Sequence, residues 1–238
     1  MPDVMLAFTN AKAGREDAFN SWYDSEHLPQ VLAADHIIGG RRMHVAFADE
    51  DLDHPYGFLA LYDVESGEAV AASTSVIDRR PPLIDDVDGP ACSWWFEALG
   101  PRRAVEGAGD GPFDKLVVLT NSVPGEDDAF NAWYDERHVP DLLEKVDGVV
   151  AAQRFRRAEG VRFNKSCPWG YLALYDIPKG EARRALNGIV WSRSERAEAE
   201  AAGREPMVPI SPAMAEERLS WWYTEISPYV LADALATR

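Results

Sequence analysis

His27 and His138 are the side chains of this sequence best suited to proton chemistry. Each closes a nearly identical stretch: FNSWYDSEHLP spans 19–29 and FNAWYDERHVP spans 130–140, 111 positions further on. Imidazole is the side chain whose ordinary pKa lies closest to neutrality, so it can take or give a proton at working pH. In the first copy Phe19, Trp22, Tyr23, Glu26 and His27 follow the i, i+3, i+4, i+7, i+8 spacing of one helical face. Tyr23 then stands one turn before His27, as Tyr134 does before His138. An imidazole can act as base toward a carbon acid or as acid toward a leaving hydroxyl, and a neighbouring phenol can donate to the oxyanion that develops. A structural role is open as well. A histidine in a last helical turn suits the helix dipole, and the prolines two residues later, Pro29 and Pro140, are expected to end the helix.

The strand FLALYD at 58–63 recurs as YLALYD at 171–176. Alternation places Leu59, Leu61 and Asp63 on one face, and Phe58, Ala60 and Tyr62 on the other. With the leucine face turned to the helices, Asp63 would meet His27 and Asp176 would meet His138. A carboxylate there would fix the tautomer and raise the basicity of the imidazole. The alternative is that both aspartates cap the turn into the next helix. Arg42 and Arg154 occupy matching positions on an earlier strand and could hold a carboxylate or enolate by a bidentate fork, or form surface ion pairs. Trp22 and Trp133 are candidates for a substrate platform or for the core. His36, His44 and His54 have no histidine counterpart in the second copy, and an inward His44 would supplement His27. DEDLDHP, 49–55, reads as a solvated acidic loop that leaves His54 at the surface.

The similarity runs well beyond these motifs. VMLAFTN (4–10) falls on KLVVLTN (115–121), IIGGRRM (37–43) on VVAAQRF (149–155), and SWWF (93–96) on SWWY (220–223). Each copy reads as strand, helix, two strands, helix, strand, the βαββαβ order of a ferredoxin-like unit. The expected elements of the first copy are strands at 4–10, 37–47, 56–64 and 92–98, with helices at 15–28 and 66–73. Residues 1–103 would form the first repeat, 104–112 a linker, and 113–238 the second repeat. The second copy carries a longer insertion before its last strand. Its segment 181–205 is rich in Ala, Arg and Glu and is expected to be helical, either as a lid bearing Trp191 or as a surface helix.

The W-Y-D-x-x-H-x-P motif of both copies, the GVVAAQRF stretch at 148–155 and the aromatic-Leu-Ala-Leu-Tyr-Asp strand resemble the dimeric α+β-barrel superfamily, in particular its EthD-like branch. The resemblance implies an α+β fold in which tandem ferredoxin-like repeats form an intramolecular barrel, a pseudo-dimer within one chain that could associate further. It also implies His27 and His138 as the catalytic candidates. The superfamily includes cofactor-free isomerases, cyclases, decarboxylases, dehydratases and oxygenases, and some members bind haem.

Composition narrows the remaining choices. A formal charge of −16 argues against nucleic acid and anionic membranes as partners. Cys92 and Cys167 are the two cysteines, with no metal-type spacing, and are expected to be separate thiols. No leader and no membrane-length apolar run is visible, which points to the cytoplasm. The leading expectation is a lyase, dehydratase or isomerase acting without metal or organic cofactor on a small apolar, aromatic or polyketide-like carbonyl compound. In it His27 or His138 is base or acid, Asp63 or Asp176 its orienting partner, and Tyr23 or Tyr134 the oxyanion donor. The substrate contacts would come from Arg42, Arg154, His44, Trp22 and Trp133. The alternatives are a non-catalytic binding or assembly protein and a haem enzyme.

Overall fold

The computed structural model describes residues 1–47, 54–79 and 83–234, so most of the acidic loop at 49–55 lies outside the described residues. The chain forms two compact units. The first comprises Met1–Gly100, Phe155–Pro168 and Glu225–Arg238; the second comprises Pro101–Arg154 and Trp169–Thr224.

In the first unit β1 is Asp3–Ala11, β2 Ile37–Val45, β3 Phe58–Val64 and β4 Val87–Ala98. They lie in the order β2-β3-β1-β4, antiparallel throughout, as a ferredoxin-like sheet requires. Met5 pairs with Tyr62 and Trp95, and Ala7 with Ala60. Helices α1 (Glu16–Trp22), α2 (Leu28–Leu32) and α3 (Ala69–Arg79) cover one face. Phe19, Tyr23 and Leu32 bury against Met5, Phe58, Tyr62 and Trp95 there. Residues on the opposite face, Leu6, Phe8, Leu59 and Phe96, are also buried.

After a two-residue strand β5 (Arg103–Ala104), the second unit repeats the pattern with β6 (Phe113–Ser122), β7 (Ala151–Arg157), β8 (Tyr171–Pro178) and β9 (Met214–Glu225), in the order β7-β8-β6-β9. Its helices are α4 (Asp127–Trp133), α5 (Val139–Lys145) and α6 (Ala182–Ala201). The last three residues of β7, Phe155–Arg157, pair with β4 within the first unit.

One expectation is corrected. Pro29 and Pro140 do not end their helices. Tyr23–His27 and Tyr134–His138 are π-helical, and each leads directly into α2 or α5, with the proline in that helix's first turn. The Leu28 and Val139 N–H groups reach back five residues to the carbonyls of Tyr23 and Tyr134. A proline inside an α-helix clashes with the carbonyl four residues earlier and cannot donate to it. The wider π turn makes room for the ring, so the helix continues past the proline. Such single π turns are frequent at functional sites.

The insertion helix α6 packs on its unit through Ala185, Gly188 and Ala199. A Cβ added at Gly188 would stand 2.6 Å from the Asp147 carbonyl oxygen, and Gly148, at φ +87°, is as tightly placed against the Ala185 backbone. Gly188→Ala is therefore expected to destabilise the protein by about 1–3 kcal/mol through overpacking, measured as a lower urea midpoint at unchanged slope.

Candidate active sites in the two units

In the first unit the His27 ring is 6% exposed and wedged between two aromatic rings, with centroids 4.7 Å from Trp22 and 4.7 Å from Tyr23. The second unit repeats the wedge, with His138 4.7 Å from Trp133 and 4.9 Å from Tyr134. The π turn produces this arrangement by bringing side chains four and five apart onto one side. Tyr23 shares a hydrogen bond with Tyr62 at 3.3 Å between hydroxyl oxygens, and Tyr134 shares one with Tyr175 at 3.0 Å. Burial pushes the phenols of Tyr62 and Tyr175 well above the usual tyrosine range. Burial raises Tyr134 too, against the opposing effect of its bond to Tyr175. These hydroxyls stay protonated and remain donors.

A cavity adjoins each constellation. That of the first unit, about 70 Å³, touches Tyr23, His27, Tyr62, Met5, Val76 and Cys92. That of the second, about 80 Å³, touches Tyr134, His138, Tyr175, Leu116, Ser192 and Arg218. Both are smaller than the pockets of about 300–1,000 Å³ that hold drug-sized ligands. They suit a few heavy atoms, or the reacting end of a longer molecule. Burial first, then the positive charges of Arg196 and Arg154, pull the His138 pKa down to about 3. Its Nδ1 has no hydrogen-bond partner among the described residues. This ring is a neutral imidazole at any ordinary pH. Cys92 is not a ready nucleophile, because burial pushes its thiol up to about 11. It and Cys167 are both free thiols.

The depressed His138 value has a consequence for stability. The unfolded imidazole protonates near pH 6.5 and the native one does not, so native stability is greatest above pH 6.5 and is lost as the pH falls toward 3. Between pH 7.5 and 5.5 the loss from this residue is about 1.4 kcal/mol. The urea stability of wild type should fall by that much more than the stability of His138→Phe over the same interval.

Several expected site residues are placed elsewhere. Asp63 and Asp176 do not meet the imidazoles. Asp63 accepts a 2.8 Å hydrogen bond from Tyr229, and Asp176 is buried in ion pairs with Lys115 and Arg102. The face assignment is reversed because Phe58–Val64 is buried at every position but Asp63, so alternation carries no signal of which face meets the helices. Tyr62 and Tyr175 occupy the helix side instead. Arg42 and Arg154 are neither surface residues nor cavity ligands. At 2% and 5% exposure they lie over the faces of Tyr23 and Tyr134, with guanidinium carbons 4.4 and 4.3 Å from the ring centroids. Arg42 donates to Asn20 Oδ1 at 2.5 Å and Asp24 Oδ1 at 2.8 Å; Arg154 matches this with Asn131 Oδ1 at 2.7 Å and Asp135 Oδ1 at 2.8 Å. Each guanidinium thus ties together two points one turn apart at the start of the π segment.

Trp22 and Trp133 pack on the imidazoles from the side and do not line the cavities. His44 packs its ring on Phe58, with Nδ1 3.1 Å from the Val45 carbonyl, and is not part of the cavity wall. His54 is half-buried. Trp191 is exposed and away from the second cavity, although α6 does wall that cavity through Ile189, Ser192, Arg193 and Arg196. The asparagines Asn20 and Asn131 were identifiable only as letters shared by the two copies. Among the described residues no three His, Cys, Asp or Glu side chains converge as metal ligands, and no helix is long and apolar enough to cross a membrane.

This mixed α+β architecture, with its large antiparallel sheet, matches in fold solved structures of the dimeric α+β-barrel type. An anthrone oxidase-like protein matches with a TM-score of 0.60 at 14% identity, over 97% of this chain and 93% of that one. A monooxygenase-like protein from Lactobacillus acidophilus NCFM matches with a TM-score of 0.53 at 6% identity, over 97% and 98%. Chlorite dismutase from Candidatus Nitrospira defluvii, in complex with imidazole, matches with a TM-score of 0.52 at 9% identity, over 99% and 94%. At these identities the likeness is one of fold. No protein-family model matches the chain, and no curated protein does.

Proposed function

We propose that this chain is a cofactor-independent enzyme of the EthD-like kind that moves a proton at the carbon beside a carbonyl, with His27 and His138 as bases. The observation that carries the reading is the recurrence, in each unit, of an imidazole and a hydrogen-bonded tyrosine pair at one cavity. The neutral imidazole accepts the proton of the C–H bond. The electron pair of that bond moves toward the carbonyl, and the developing enolate oxygen takes a hydrogen bond from Tyr23 or Tyr134. Return of the proton to the same carbon is exchange, and return to another is isomerisation. Expulsion of a β-hydroxyl, protonated by the imidazolium to leave as water, is dehydration. The apolar walls and small volumes support an uncharged reacting end in the first unit. An enolate also reacts with dioxygen, so the names borne by the monooxygenase-like and anthrone oxidase-like neighbours are consistent with the same first step.

The haem reading finds less support. Cavities of about 70 and 80 Å³ beside the imidazoles are small beside a tetrapyrrole, and each imidazole is flanked by aromatic rings on two sides. The test is exchange itself. The full chain is incubated in D₂O with a panel of small alicyclic and aryl ketones, and deuterium entering beside the carbonyl is followed by NMR. Exchange above the buffer rate supports the reading. A panel with no exchange above that rate leaves a binding or assembly role as the better account.

A further inference from the structure

We propose that the second unit's cavity binds a carboxylate carried on a short apolar body, held by Arg193, Arg196 and Arg218. The three side chains come from α6 and β9 and line one cavity. Arg196 donates through Nε to the Val208 carbonyl at 3.0 Å, and Arg218 makes a long contact of 3.5 Å with the Glu216 carbonyl. None of the three has a carboxylate ion-pair partner among the described residues. Arg41, Arg102, Arg137 and Arg184 all hold carboxylates. Of the acids on α6, Glu195 is taken by Arg204 and the Met207 N–H, and Glu200 is felt by Arg196 without pairing to it. Burial and the charge of Arg218 both disfavour the charged forms of Arg193 and Arg196. Cations left facing one another in this way are stabilised when an anion is supplied.

The rest of the wall fixes what the anion is attached to. Leu116, Val118 and Leu142 line the same cavity, with His138 among them. A carboxylate at the arginines would therefore direct an apolar chain inward, and about 80 Å³ keeps that chain short. Among the described residues the first unit lacks the clamp: shifted by 127 positions, Arg218 corresponds to Ala91, and no described arginine lines the first cavity. The two copies have thus diverged at the cavity mouth while keeping the imidazole and the tyrosine pair. The inference concerns binding alone, and it stands whether or not the imidazole removes a proton.

The experiment titrates the full chain separately with hexanoate, hexanamide and inorganic phosphate while the imidazole signals of its five histidines are followed by NMR. The His138 signals are identified by their loss in His138→Phe. Hexanoate is expected to shift the His138 signals saturably and to leave those of His27 unmoved. The Arg193→Gln/Arg218→Gln double variant should bind at least tenfold more weakly, with the signals of the other four histidines unchanged. The proposal is overturned if hexanoate leaves His138 unmoved, if hexanamide binds equally well, if phosphate binds more tightly, or if the double variant binds hexanoate as wild type does. No turnover is read, so failure here is distinct from failure of the proton-transfer reading.

Discussion

Arg42→Met is expected to destabilise the protein by about 2–4 kcal/mol, measured by urea unfolding, although the residue touches no cavity. Its guanidinium is 2% exposed, donates to Asn20 and Asp24, and lies 4.4 Å from the centre of the Tyr23 ring. Methionine can fill much of the volume of the stem but supplies none of these donors, and it leaves Asn20 Oδ1 without its 2.5 Å partner. Asp24 is half-exposed and water can replace its partner, which keeps the cost below that of breaking a fully buried ion pair. The same substitution should also slow exchange at the first site. Arg42 anchors the turn from which Tyr23 and His27 project, so it is a positioning residue. A purely structural role would lower stability and leave the exchange rate of the folded fraction unchanged. Arg42→Lys should restore part of the stability, because an ammonium keeps the charge, and little of the exchange, because it cannot reproduce the planar fork.

The second large effect concerns the imidazoles. Removing both, His27→Ala with His138→Ala, is expected to lower the exchange rate at least about tenfold; a ring titrating near 3 is a weak base and falls short of the roughly 10²–10⁴-fold supplied by a base matched to the working pH. Among the described residues, the other candidate bases are committed elsewhere. Asp63 and Asp176 are committed to Tyr229 and to Lys115 and Arg102, and Cys92 is held as a thiol. The tyrosines are kept protonated by burial. Each single variant assigns the activity to a unit: His27→Ala reports the second, His138→Ala the first. Both rings fill space against a tryptophan, so folding is checked first. His→Phe is the substitute where Ala leaves the site loosened, since a phenyl ring retains the packing and lacks the base.

The repeat made most of this fold legible before any coordinates. Two copies of one strand–helix order point to two ferredoxin-like units, and the shared His and Tyr mark the helix that faces each cavity. What remained hidden had physical causes. Proline reads as a helix stop because an ordinary α-helix cannot hold it. The π turn evades that rule by changing the hydrogen-bond spacing, which no composition signal announces. The strand at 58–64 is buried on both faces, so its leucines and aromatics carry no sign of which side they take, and Tyr62, not Asp63, shares the cavity with His27. The arginines of the second cavity lie far apart in sequence, on a helix that reads as a charged surface. Only α6 and β9 folding onto one cavity makes them a cluster.

The proposed bases are His27 and His138, each beside a tyrosine pair, with the His138 ring held neutral by burial. The direct measurement is the rate of deuterium exchange by the His27→Ala variant, in which His138 acts alone, between pH 7.5 and 5.5. With the ring's pKa pulled to about 3, the base is already fully unprotonated and the rate should stay level across that range. A rate that falls about tenfold toward pH 5.5, as an ordinary imidazole titrating near 6.5 would require, contradicts it.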